Sequence, residues 1–132
     1  MPSPFTGTGV GMDLSTHVNN LAATSGTTAL AVATVVQAFA APTASGCRNY
    51  VTGIQVVNTA VAVATTFSIL DGASTVIWSI FLPLVPATLQ PVPIFFPFMT
   101  PLKCTVGNVT NVQCGTTSAA VFWNLQGYSG PY

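Results

Sequence analysis

Charge is what this chain has least of. Glutamate is absent, and the charged residues are Asp13, Arg48, Asp71 and Lys103, 3% of 132 residues where ordinary globular proteins carry about a quarter. With one lysine and one arginine the chain lacks the cations that neutralise phosphates, so no direct contact with DNA or RNA is expected. It has a single histidine, His17, which excludes a metal site built from several imidazoles and leaves a Ser-His-Asp triad without support. Cys47, Cys104 and Cys114 are odd in number and show no C-x-x-C spacing. Packed thiols made in a reducing cytosol are therefore expected, with one disulfide as the alternative. Gly7, Gly9 and Gly11 lack the preceding strand and the third glycine of a dinucleotide-binding turn. No enzyme, cofactor or metal is expected from this inventory.

Apolar residues are what the chain does have. They make up 50% of it and include eight Phe, two Trp and three Tyr, enough to drive folding. Residues 72–102 carry no charge, yet Pro83, Pro86, Pro91, Pro93, Pro97 and Pro101 interrupt them. Each proline removes a helical hydrogen bond and clashes with the preceding turn, so no membrane span is expected. The opening MPSPFTGTG has neither a basic region nor an apolar core, and reads as an extended arm, residues 1–15, rather than a secretory signal. Residues 16–132 then form one domain. A nearly neutral surface invites association. Phe5 and His17 near the arm, with Tyr128 at the end of the last expected strand and Tyr132 beyond it, are the candidate interface residues.

Hydrophobic alternation points to an all-β fold. Thr, Val, Asn, Gly and Pro dominate, and no capping box with Glu is available. Tyr50, Thr52, Ile54 and Val56 are spaced to share one face, as are Val121, Trp123 and Leu125. Strands are expected near residues 17–23, 29–39, 48–58, 61–70, 74–82, 89–96, 103–110 and 119–128. Eight of them make a single antiparallel β-sandwich, of which the jelly roll is one form. Proline alternation in PVPIFFPFMTPL assigns that segment to a sheet edge or to a proline-blocked segment.

Asp71 raises a sharper question, because FSILDGASTVIWSIFL surrounds one acid with uncharged neighbours. A lone carboxylate with no His, Lys or second acid beside it in sequence has nothing to tune it for catalysis. Asp71 and Gly72 instead suit a two-residue hairpin turn, which pairs Phe67 with Val76 and Thr65 with Trp78; a four-residue loop, Asp71 to Ser74, shifts the pairs but keeps the same faces together, whereas a three-residue loop sets Phe67 opposite a residue of the wrong face. On that reading Asn in place of Asp71 is nearly neutral.

The succession RNYVTGIQVVN, FSILDGASTVIW, a proline-containing stretch ending in FMTPL, and VFWNLQGY resembles a group of small β-sandwich proteins encoded among the virion structural genes of tailed bacteriophages. It spans roughly residues 47–128. The resemblance implies a virion component made in the host cytoplasm, a capsid decoration or cement protein. Its partners would be the major capsid protein and copies of itself as a trimer. A tail, neck or fibre-associated adhesion or adaptor module is the alternative.

Overall fold

The computed structural model describes residues 19–31 and 33–131. The strands are β1 (Asn19–Thr24), β2 (Val36–Phe39), β3 (Arg48–Asn58), β4 (Thr65–Asp71), β5 (Thr75–Leu82), β6 (Ile94–Lys103), β7 (Thr110–Cys114) and β8 (Val121–Gly130). They form two antiparallel four-stranded sheets, ordered β1-β8-β3-β6 and β2-β7-β4-β5. The pairs β1·β8, β2·β7, β3·β6 and β4·β5 are those of a long antiparallel ribbon rolled up on itself, which is the jelly-roll arrangement of the β-sandwich. Among the described residues no helix is long and apolar enough to cross a membrane. The expected arm, with Phe5 and His17, lies outside the described residues, as does Tyr132.

The core is the inner face of both sheets. Val121, Trp123 and Leu125 are buried while the alternate residues Phe122, Asn124 and Gln126 are half-buried or exposed, the period-two pattern that the sequence carries. They meet Phe67, Ile69 and Val112 from the opposite sheet, with Phe39 and Leu82 closing the layer. β3 departs from simple alternation. Its pairing with β8 shifts between Val51 and Gly53, so Thr52 is an extra residue that reverses the side chains before it. Val51 thereby joins Ile54 and Val56 in the core, and Tyr50 does not share their face.

The β4–β5 hairpin also differs from the expected register. Asp71 pairs with Thr75, leaving a three-residue loop, Gly72 to Ser74. That loop alone would put Phe67 opposite a residue of the wrong face. Ile77 is inserted between the pairs Leu70–Val76 and Ile69–Trp78, which restores the parity and sets Phe67 opposite Ile80. Gly72 has φ +73°, a conformation open to glycine at little cost.

Other boundaries moved for identifiable reasons. Leu30 makes only an isolated bridge to Val121 of the first sheet, whereas β2, beginning at Val36, belongs to the second. The expected strand over 29–39 is thus strand only in its last part, β2, with a crossing between sheets before it. β6 begins after Pro93 and runs through Pro97 and Pro101, because a sheet edge does not need every N–H. Between Pro97 and Leu102 it bulges against β3, and Met99 is 99% exposed. Residues 104–109, expected as strand, form the turn into β7, with Gly107 at φ +80°.

Candidate interaction surface

Antiparallel order sends the connections β2–β3, β4–β5 and β6–β7 to one end of the sandwich and β1–β2, β3–β4, β5–β6 and β7–β8 to the other. The two ends differ in chemistry. Arg48 opens β3, Asp71 closes β4 and Lys103 closes β6, so the three charges among the described residues all lie at the first end. The connections at the second end, residues 25–35, 59–64, 83–93 and 115–120, contain no charged residue.

At the charged end Asp71 does more than shape a turn. One carboxylate oxygen accepts hydrogen bonds from the Thr105 N–H at 2.9 Å and the Thr105 hydroxyl at 2.7 Å, and the other accepts from Asn108 Nδ2 at 2.9 Å. Asn111 Nδ2 donates to the Gly72 carbonyl at 2.7 Å. The acid therefore ties the β4–β5 hairpin to the β6–β7 loop. Partial burial pushes its pKa up, but the bonds from Thr105 and Asn108 together with the charge of Arg48 outweigh this and hold it below the usual carboxylate range.

Asn in place of Asp71 keeps the turn but gives up charge-assisted bonds, so the near-neutral expectation is revised to a loss of about 1 kcal/mol at pH 7, discounted for exposure. A depressed folded pKa stabilises above the unfolded value of about 3.9 and ceases to do so as pH falls through the folded value. Denaturation midpoints should accordingly fall below about pH 4 in the native chain and much less in Asp71→Asn, the only other acidic side chain being Asp13. Equal acid limbs for the two proteins would refute the assignment.

The uncharged end is organised by Asn58, which the sequence gives no cue to single out. It is buried, donates from Nδ2 to the carbonyls of Val63 (2.9 Å) and Pro83 (3.3 Å), and accepts at Oδ1 from the N–H groups of Ala60 (3.1 Å) and Ala120 (3.3 Å). Three connections converge on one side chain. Further bonds from Val85 N–H to the Ala60 carbonyl and from Thr59 N–H to the Ala120 carbonyl hold the same loops together. This fixed surface presents Val61, Leu84, Leu89 and Val92 to solvent, Val92 at 75% exposure.

The apolar surface continues along the flank where β5 and β6 are the neighbouring edges of the two sheets. Trp78 of β5 meets Phe96 and Phe98 of β6 edge to face, with ring centroids 5.4 and 5.6 Å apart. Phe81, Phe95 and Met99 lie outside this cluster and are exposed. Scattered apolar side chains on a surface are ordinary, but a run of them along one end and one flank is the mark of an interface.

The remaining candidates are placed as follows. Tyr128 is half-buried and stacks on Tyr50, with centroids 4.7 Å apart at 18°. Trp123 is in the core. Cys47, Cys104 and Cys114 are buried thiols, and burial pushes the pKa of Cys104 and Cys114 up, away from the reactive thiolate. Among the described residues no three of His, Cys, Asp or Glu come together as metal ligands. No family model, curated protein or solved structure matches the chain.

Proposed function

We propose that this chain is a structural protein of a tailed-bacteriophage virion, a decoration or cement protein that binds the major capsid protein and copies of itself and so reinforces the capsid lattice. One observation carries the reading. All charge among the described residues is gathered at one end of the sandwich, while the other end, fixed by Asn58, exposes Val61, Leu84, Leu89 and Val92 without a single charged neighbour in its loops. Such a surface attaches by apolar burial, at about 25 cal/mol per Å², and by hydrogen bonds from the backbone, Thr, Ser and Gln. The charged end is left for solvent.

The competing reading is a tail, neck or fibre-associated adhesion or adaptor module. Adhesion to sugars favours exposed aromatic platforms, and here Trp123 is core while Trp78 is packed against Phe96 and Phe98. Copy number separates the two. Quantitative mass spectrometry of purified particles should find the chain in hundreds of copies per particle; a small multiple matching a tail or neck ring would contradict the decoration role.

A further inference from the structure

We propose that β5 is a self-association strand: two copies of this chain pair β5 with β5, antiparallel about a twofold axis, and merge their β2-β7-β4-β5 sheets into one. The inference rests on the assembly reading above and specifies one of its contacts.

A strand at a sheet edge points alternate N–H and C=O groups away from its single neighbour, and proteins blunt such edges with proline, charge, bulges or shortness. The four edges here are β1, β6, β2 and β5. β2 has four residues and an irregular register at Gln37. β6 carries Pro97 and Pro101 and bulges between Pro97 and Leu102. β1, NNLAAT, has six residues and only Leu21 as a large apolar side chain. β5, TVIWSIFL, has eight residues, no proline and no charge, and among the described residues it pairs only with β4. Its one irregularity, the inserted Ile77, lies near its start and leaves Trp78 to Leu82 regular, so β5 is the edge with the longest uncharged, proline-free run and the largest apolar side chains.

Charge and geometry select the occupant. A charged strand laid on β5 would lose hydration without gaining a counter-charge, since neither β5 nor residues 83–93 that follow it carry one. A second β5 meets that requirement. Pairing of this edge with its own copy is isologous, which replaces the trimer implied by the decoration-protein resemblance with a twofold pair. Antiparallel self-pairing keeps core-facing side chains together only when paired residue numbers have an even sum. Centred on the small, exposed Ser79, the register sets Trp78 opposite the second copy's Ile80 on the core-facing side.

Engineered cysteines test this on the purified full chain. The native cysteines are buried. Across the axis Ser79→Cys places two thiols on directly opposed residues, whose Cα spacing of about 4.5–5.5 Å suits a disulfide. Val76→Cys places them roughly 20 Å apart at 3.4 Å per residue. Mild oxidation should link Ser79→Cys chains into dimers rapidly and Val76→Cys chains at the slow rate of random collision. In sedimentation, the native chain should be dimeric, and Ser79→Lys, which opposes like charges, should weaken the dimer about tenfold or more with unchanged circular dichroism. A native chain that stays monomeric, or equal cross-linking at both positions, would overturn the proposal. So would a monomer that dimerises only after residues 1–18 are removed, since the chain's own N-terminal segment would then be the occupant of β5. Because no particle is present, this result stands apart from the copy-number test of the virion role.

Discussion

Gly127→Ala is expected to destabilise the domain by about 3 kcal/mol or more, a large share of the 5–15 kcal/mol typical of a whole protein. Gly127 lies on β8 between two partners, opposite Leu21 of β1 and Val51 of β3, just where Thr52 bulges out of register. The bulge carries the Tyr50 carbonyl under Gly127, so that a Cβ there would land on that oxygen, with the Phe39 ring 3.0 Å away on another side. A carbonyl held in a sheet cannot yield as a flexible side chain can. The sheet must either lose the bulge, which returns Tyr50 and Val51 to the wrong faces, or part β8 from β3. Gly115→Ala is the control, since its Cβ would make ordinary contact with the Thr66 carbonyl at 3.6 Å. Urea denaturation should show a midpoint near the native one for Gly115→Ala and a much lower one for Gly127→Ala; equal midpoints would mean that the bulge is not rigid.

Asn58→Asp should cost a comparable amount at neutral pH, for an electrostatic reason. Nδ2 of Asn58 donates to two carbonyls, and a carboxylate oxygen in its place would face Val63 O and Pro83 O with nothing to donate. Both bonds are lost and a buried charge is set against two dipoles, a change of about 3 kcal/mol or more. Protonation relieves it. The folded state raises the pKa of such an Asp, so the penalty is complete well above that pKa and fades as pH falls toward the unfolded value of about 3.9. Asn58→Asp should therefore recover much of its stability between pH 7 and pH 4, the opposite sense to the native Asp71. A pH-independent loss would point to packing instead of charge. Because the same side chain holds three loops of the uncharged end, attachment to particles should fail in this variant at pH 7 even where the domain remains folded.

Much of the sandwich could be read from local pattern. The inward series Val121, Trp123 and Leu125, the position of β6 at an edge and the positive φ of Gly72 each follow from the residues themselves or their nearest neighbours. The errors of face and register share a cause, which is that bulges depend on the partner strand. Thr52 and Ile77 have nothing in their own chemistry to mark them as insertions, yet each reverses the faces of the residues before it. For that reason Tyr50 does not lie on the face of Ile54 and Val56, where simple alternation puts it. Asn58 resembles any polar residue at the end of a strand until the topology brings residues 63, 83 and 120 around it. The segregation of charge was equally hidden, since Arg48, Asp71 and Lys103 are widely spaced in sequence and meet only because their strands start or stop at the same end.

That segregation gives the account its most direct test, a reconstruction of the intact particle at a resolution that traces β-strands. The account predicts density for this chain repeated over the capsid surface, with the loops bearing Val61, Leu84, Leu89 and Val92 packed on the lattice and the end bearing Arg48, Asp71 and Lys103 turned to solvent. Copies confined to the tail or neck, or a lattice contact made through the charged end with the apolar loops left open to water, would contradict it.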